Sequence, residues 1–379
     1  MRIGIDATAL PLQRTGVANY VFGLLGGLAA VDREHAYVVF AKRAHIAQLG
    51  IDRPNFQFVP IDLPSRGLRL AWEQVVLPRH TRTHRLDVLH SPHYTMPLRR
   101  AARAVVTFCD MTFLLYPELH QAVKRAYFPA MMRWSARHAD RLITISESTR
   151  DDLARLWGVD PGRMTAIPLA AGAEYRPAAP EAIAAACARH GLRPGGYVLY
   201  VGVLEPRKNV DALVAAFGLA AERLQGLDLV IAGKRGWMYD RIFAQVEALG
   251  LAHRVRFTGY VAQEDLPGLY GGARLLVYPS RYEGFGLPVL EAMACGVPVV
   301  TTNVSSMPEV AGDAALLVDP DDVPGLAAAI VRLVDDPALA RELARRGRER
   351  AAGFSWERCA EETRRVYEQV GSSRQGTGS

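Results

Sequence analysis

Ser280-Arg-Tyr-Glu-Gly-Phe-Gly-Leu-Pro-Val-Leu-Glu291 follows a short apolar run, Arg274 to Pro279, and joins what reads as a buried strand to a helix. Gly284 and Gly286 bracket Phe285, and Leu287-Pro288 opens the helix with proline in its first turn, where no amide hydrogen is missed. The expected result is a helix N-terminus whose unpaired amides and positive dipole end suit an anion, with glycine leaving room for a phosphate to approach. Two carboxylates, Glu283 and Glu291, stand eight residues apart around this turn. Glu283 lies at the strand end and Glu291 about one turn inside the helix, so they can reach opposite ends of one elongated ligand such as a nucleotide sugar. An acid on the helix can accept hydrogen bonds from ribose hydroxyls, and an acid at the strand tip from sugar hydroxyls. Two glutamates at this spacing also occur by chance in helices, so the reading leans on its surroundings.

Those surroundings are α/β throughout. Short apolar runs alternate with helical patterns, the signature of parallel sheets flanked by helices. In the first half, strands are expected near Ile3–Ala7, Tyr37–Phe40, Phe56–Val59, Val88–His90, Ala104–Phe108, Arg141–Ile145 and Met164–Ile167. Helices are expected between them, near Val17–Ala30, Trp72–Pro78, Val123–His138 and Glu147–Trp157. A second series of strands follows near Tyr197–Val201, Leu227–Ala232, Arg254–Gly259, Leu275–Tyr278, Val297–Thr301 and Ala315–Val318. The expected division is a first Rossmann-like domain over 1–172, an alanine- and proline-rich linker over 173–196 and a second Rossmann-like domain over 197–353. A helix over 354–370 and a polar, disordered tail over 371–379 complete it. Two such domains fit 379 residues, and ligands of these sheets bind outside the carboxyl ends of the strands, in the cleft the two domains are expected to face.

Composition narrows the function. The longest mostly apolar stretch, Val21 to Val31, is too short to cross a bilayer and holds three glycines, so a cytoplasmic protein is expected. Cys109, Cys187, Cys295 and Cys359 are scattered without paired spacing, against both a disulfide framework and a zinc site. The net charge of +6 is uneven: residues 1–180 hold 23 Lys/Arg against 15 Asp/Glu, and the remainder 22 against 24. A basic first half suits an anionic membrane surface, a phosphorylated acceptor or nucleic acid, but no nucleic-acid motif is present. Lys124-Arg-Ala-Tyr-Phe-Pro-Ala-Met-Met-Arg-Trp134 and the shorter Arg66-Gly-Leu-Arg-Leu-Ala-Trp72 mix cations with large apolar groups, as an interfacial segment would; an ordinary amphipathic helix is the alternative. The chain has no Walker loop, no Gly-x-Gly-x-x-Gly and no Gly-x-Ser-x-Gly, which argues against kinase, dehydrogenase and hydrolase chemistry.

Beyond the opening stretch, Gly202-Val-Leu-Glu-Pro-Arg-Lys-Asn209 follows the first strand of the second domain. Arg207 and Lys208 there can clamp a diphosphate and stabilise the charge that develops on a nucleoside-diphosphate leaving group, without a metal ion. The alternative is that both are solvated loop residues, and Lys234 in Ala232-Gly-Lys-Arg-Gly236 is a further, weaker candidate. Gly16, in Arg14-Thr-Gly-Val-Ala-Asn19, stands at another helix start, either as an anion site or as a turn residue only. Ser146 in Ile145-Ser-Glu-Ser-Thr149 is expected to cap a helix, and Asp319-Pro-Asp321 to serve as capping acids rather than a metal motif.

The run from Glu283 to Val300 closely resembles the Glu-x7-Glu signature of the family-4 retaining glycosyltransferases of GT-B fold. The resemblance extends from Ile3-Gly-Ile-Asp6 to the final helix and is most specific over 198–300. It implies a donor site in the second domain: Gly284, Phe285, Gly286 and Leu287 at phosphates and sugar, Arg207 and Lys208 as the diphosphate clamp, Glu291 on ribose, and Glu283 on sugar hydroxyls. It also implies acceptor binding by the first domain and a last helix that crosses back to that domain. By the same resemblance Gly16 approaches the donor phosphate or the acceptor, and no cofactor beyond the nucleotide-sugar co-substrate is needed. Two departures stand out: Val203 replaces an arginine common in the family, and Thr107-Phe-Cys-Asp110 has Cys109 where the family usually has histidine before an aspartate. Cysteine cannot supply an imidazole's hydrogen bonding, so Asp110, His90 or His93 must take over, or the cations must suffice. The implied activity is retaining transfer of a hexose, with mannose from GDP-mannose preferred and UDP-sugars next, to a glycan or lipid-linked acceptor in surface polysaccharide or glycolipid synthesis. A non-hydrolysing sugar-nucleotide epimerase and a non-catalytic nucleotide-sugar-binding protein are the alternatives.

Overall fold

The computed structural model describes residues 1–11, 16–117 and 122–372, with side chains described for all of these except 122–127. The chain forms two compact units, one of Met1–Leu169 together with the segment from Ser355 onward, the other of Ala170–Phe354.

The first unit is built on seven parallel strands: β1 (Arg2–Asp6), β2 (Ala36–Ala41), β3 (Phe56–Pro60), β4 (Val88–Ser91), β5 (Arg103–Phe108), β6 (Arg141–Thr144) and β7 (Met164–Ala166), in the order β3-β2-β1-β4-β5-β6-β7. The second has six parallel strands: β8 (Tyr197–Val201), β9 (Asp228–Ala232), β10 (Val255–Gly259), β11 (Leu275–Tyr278), β12 (Val299–Thr302) and β13 (Leu316–Val318), in the order β10-β9-β8-β11-β12-β13. These are the thirteen strands expected from the sequence, with ends shifted by one or two residues. Each order reverses direction once, between β1 and β4 and between β8 and β11. In open parallel sheets the crevice for ligands lies at this reversal, beyond the carboxyl ends of the two strands. The central strands are apolar on both faces, as helices covering both sides require; Val198, Leu199, Leu275, Leu276 and Val277 are wholly buried.

The C-terminal helix, Trp356–Ser372, belongs to the first unit. It lies along the first helix, Gly16–Val31, because two glycines there clear its path. A Cβ at Gly23 would run into the Trp356 ring, and one at Gly27 into the Trp356 carbonyl and the Ala360 methyl. Three hydrogen bonds among four buried side chains then tie the helix to the sheet: His90 Nδ1 meets Tyr367 Oη at 2.7 Å, His90 Nε2 meets Thr107 Oγ1 at 2.8 Å, and Tyr20 Oη meets Thr107 Oγ1 at 2.9 Å.

The stretch expected as a linker, 173–196, is instead part of the second unit. Its helix Pro180–Arg189 lies on the helix Leu266–Gly271, where Ala186 fills the space left by Gly268. Asp265 fastens it by accepting from Arg189 Nε at 2.9 Å and pairing with His190 Nε2 at 2.9 Å. Ser146 caps the helix Glu147–Trp157 as expected, accepting from the Thr149 amide at 3.0 Å. Asp322 caps Val323–Asp335 through the Gly325 amide at 2.8 Å, while Asp321 pairs with Arg281. All four cysteines are buried and free. Among the described residues no helix is long and apolar enough to cross a membrane. Arg14 and Thr15, the side chains of Lys124 to Tyr127, and the tail beyond Ser372 lie outside the described residues.

Candidate functional site

In the second unit, β8 and β11 end side by side at the reversal of strand order, and the loops that follow them carry the residues singled out above. After β8 the chain makes a short 3-10 turn, Pro206–Lys208, and then enters the helix Val210–Leu219 through Asn209, whose φ is 57°. After β11 it runs through Ser280–Gly286 into the helix Leu287–Ala294. The Arg281 amide donates to the Arg207 carbonyl at 2.9 Å, which joins the two loops directly.

That junction collects charge. Lys208 Nζ is 2.6 Å from Glu283 Oε1, and Arg207 Nη1 is 2.9 Å from Glu283 Oε2. Arg207 also pairs with Glu205 at 2.6 Å and donates to the Tyr282 carbonyl at 2.7 Å. Tyr278, the last residue of β11, accepts from Lys208 at 2.7 Å and donates to Glu283 Oε1 at 3.0 Å. Lys208 and Glu283 are 8% and 7% exposed, so their charges depend on each other and, for Glu283, on Arg207 as well. Burial alone would raise the Glu283 carboxyl, yet Arg207 and then Lys208 pull it down to about 2. The Lys208 ammonium is lowered, by burial first and Arg207 next. Two cations and two carboxylates thus balance at one point. The sequence placed Glu283 and the cations at different parts of a ligand; the structure brings all three into contact.

Gly286 precedes the helix Leu287–Ala294 at φ 102°, where a side chain would be strained and would collide with Met307. No described side chain caps this helix; Pro288 has no amide hydrogen and the Val289 amide donates to the Gly286 carbonyl at 3.0 Å, so what the helix start offers an anion is its dipole and the Leu287 amide. Ser306 Oγ holds the loop by donating to the carbonyls of Glu283 (3.0 Å) and Phe285 (2.9 Å), and Ser305 Oγ accepts from the Glu283 amide at 3.0 Å. Gly284 and Leu287 are buried with it, and Phe285 is buried edge-on against Phe354. Glu291, one turn on, is 5% exposed and accepts from Tyr270 Oη at 2.8 Å. Lys234 follows β9 and is half-buried, with its carbonyl accepting from the Leu204 amide at 3.0 Å.

The remaining candidates are in the first unit. Gly16 is the first residue of its helix and is exposed. Cys109, just past β5, is buried, with Sγ 3.9 Å from the Pro92 carbonyl and its thiol pushed far above the usual range by burial. Such a thiol offers neither base nor nucleophile at neutral pH. Asp110 Oδ1 accepts from the Thr112 amide at 3.0 Å and hydroxyl at 2.7 Å. His90 is committed to the Tyr367 and Thr107 bonds and cannot replace the missing histidine. His93, at the end of the β4 loop, is partly exposed.

Sequence reading missed Tyr278, Glu205, Ser305 and Ser306 around Glu283. Tyr278 is indistinguishable in sequence from any strand-end tyrosine, and the serines gain their role only where the loop after β12 meets the loop after β11. In the first unit it passed over Arg69, Glu73 and the side chain of Asp6, which form one ion-paired group.

Comparison with known proteins agrees with this architecture. The model described as Glycosyltransferase Family 4 matches residues 14–171, and that described as Glycosyl transferases group 1 matches 191–350. The O-antigen chain mannosyltransferase B of Escherichia coli is 39% identical over 281 residues, 74% of this chain and 74% of that protein. Sucrose-phosphate synthase from Thermosynechococcus elongatus superimposes with a TM-score of 0.77 at 25% identity, covering 98% of this chain and 99% of that one. HepE of Anabaena, solved with UDP-glucose, gives a TM-score of 0.78 at 18% identity, covering 97% and 100%. Paired Rossmann-type sheets of this kind are the GT-B fold, and the matching family models and relative make it that of a glycosyltransferase. The chain belongs to glycosyltransferase family 4.

Proposed function

We propose that this glycosyltransferase moves mannose, with retention of configuration, from GDP-mannose to a glycan or lipid-linked acceptor in surface polysaccharide synthesis. The observation that carries the reading is the Arg207–Lys208–Glu283 centre beside an uncapped helix start at the reversal of strand order. A diphosphate arriving there meets two cations already held in place, so little side-chain ordering is left for the binding step. In this reading the amides of Gly284 to Leu287 and the freed Arg207 and Lys208 take the phosphates. Glu283 exchanges its ion pairs for hydroxyls of the transferred sugar, and Glu291 takes the ribose. Two fixed cations supply the charge that a leaving diphosphate requires, so turnover is expected to persist in excess EDTA. Retention follows from family membership, with the leaving phosphate assisting as base on the face of attack. Gly16, Asp110 and Cys109 are assigned to the acceptor side.

Mannose is favoured by the E. coli relative, named an O-antigen chain mannosyltransferase, and a nucleotide sugar by HepE, whose structure contains UDP-glucose. Thermal stabilisation by GDP against UDP tests the base, because a ligand of the folded state raises its melting temperature. A shift with UDP alone would replace the GDP assignment, and no shift with either would remove the donor site.

Peripheral membrane contact is part of the same reading. The helix Arg66–Val75 exposes Leu68, Ala71 and Val75 along one face, beside exposed Leu98, Arg99 and Arg100. Sedimentation with phosphatidylglycerol vesicles but not with phosphatidylcholine vesicles is the expected result.

A further inference from the structure

At the carboxyl ends of β1, β4 and β5 the first unit holds a second polar group, separate from the charges around Glu283. Arg69, on the helix Arg66–Val75, pairs with Asp6 at 3.4 Å and with Glu73, and Asp6 Oδ1 also accepts from the Thr8 amide (3.0 Å) and hydroxyl (2.6 Å). Glu73 is wholly buried and further held by Thr95 Oγ1 at 3.0 Å. Beside this group stands His93, whose ring feels the charges of Arg69, Asp110 and Asp6. Its Nδ1 is buried and has no hydrogen-bond partner among the described residues.

An imidazole nitrogen left without a partner in a polar pocket is costly, and the backbone here is costly too. Tyr94, the next residue, sits at φ 61°, a left-handed conformation disfavoured for a side chain of its size. The conformation is held by the Tyr94 amide, which donates to the Thr107 carbonyl at 3.0 Å, and by the Tyr94 ring standing edge-on to Phe108. The loop therefore presents His93 in one place. Burial and the Arg69 charge lower its pKa to about 4, so the ring is neutral at pH 7. Of the two acids whose charge reaches the ring, Asp6 is engaged by Arg69 and Thr8, whereas Asp110 uses Oδ1 for Thr112 and its Oδ2 accepts from no described residue.

The sign of this group selects its ligand. Among the described residues, Asp6, Asp110 and Glu73 outnumber Arg69, whose guanidinium is already spent on Asp6 and Glu73, so an incoming phosphate would meet carboxylates and, of the described side chains, only that engaged cation. A neutral hydroxylated ring would meet one neutral imidazole and one carboxylate, a suitable set for sugar hydroxyls. We propose that His93 and Asp110 bind the hydroxyls of the acceptor, and that the acceptor residue seated there is a neutral sugar rather than a phosphorylated one. The inference rests on the transferase reading above. It supplies from β4 the imidazole that Cys109 withholds from β5.

The test uses the full chain, GDP-mannose as donor and methyl α-D-mannoside as acceptor probe, with GDP binding measured in parallel. His93→Ala is expected to lower kcat/KM for the mannoside by about 10- to 100-fold, mainly through its KM, with GDP affinity unchanged. His93→Asn, which keeps a donor and an acceptor, should recover part of the loss, and Asp110→Asn should act on the same acceptor KM. Methyl α-D-mannoside should also be a better acceptor than mannose 6-phosphate. Wild-type kcat/KM in His93→Ala, a preference for the phosphorylated sugar, or release of GDP into water with no transfer to the mannoside would each overturn the inference while leaving the donor site standing. Absence of binding by both GDP and UDP would instead bring down the proposed function, and this inference with it.

Discussion

The two units share one order over six strands, to which the first adds β7, and put polar side chains at the same topological place, yet they use them in opposite ways. In the second unit Arg207, Lys208, Glu205 and Glu283 are paired with one another, and a ligand has to enter by exchanging those partners. In the first, Asp6, Arg69 and Glu73 are paired, while His93 Nδ1 and Asp110 Oδ2 remain open among the described residues. The first unit also buries a histidine that only builds structure, His90, only three residues from the one that is open. A shared fold therefore fixes where chemistry can occur and leaves its kind to the loops.

Three experiments separate these uses. The largest effect is expected from Glu283→Ala, which strands Lys208 and Arg207 without their carboxylate. Breaking a buried pair from one side costs about 3–5 kcal/mol, read as a lowered denaturation midpoint; an unchanged midpoint would mean that the centre is solvated and unpaired. In the first unit, Tyr367→Phe leaves His90 Nδ1 without its partner and should cost about 1–3 kcal/mol with nucleotide affinity unaltered. A loss of activity without loss of stability would place His90 in the chemistry after all. The smallest effect is one of pH. Glu283 is depressed in the folded chain from 4.5 to about 2, so its contribution is complete above the unfolded value and disappears as pH falls through that window. The stability of wild type should consequently drop more steeply than that of Glu283→Gln between those limits, and parallel curves would contradict the pairing.

The strands were legible because parallel strands buried on both faces read as unbroken apolar runs, as at Tyr197–Val201 and Leu275–Tyr278. Helix starts were less so. Arg66–Val75 begins under Ser65, with Gly67 and two arginines diluting the pattern, and the helix expected over Trp72–Pro78 took in only its last turn and the start of the next helix, Leu77–Thr83. The stretch 173–196 has a linker's composition, but Asp265, far along the chain, takes up Arg189 and His190 and docks its helix. At the site, Arg207, Lys208, Glu283 and Glu291 were each visible in their motifs. Their mutual contact was not, because Lys208 and Glu283 lie 75 residues apart and meet only through the pairing of β8 with β11. The significance of His93 was hidden for the converse reason: nothing in His90-Ser-Pro-His93 tells which histidine the terminal helix will claim.

Titration calorimetry of GDP into wild type and Lys208→Ala bears most directly on the second unit's role as donor site. Removing one fixed cation from a desolvated diphosphate contact should weaken GDP binding by about 100-fold, some 2.7 kcal/mol, with the variant still folded as judged by its unfolding transition. Equal affinity in the two proteins would contradict the account, because the diphosphate would then be held somewhere other than the Arg207–Lys208–Glu283 centre.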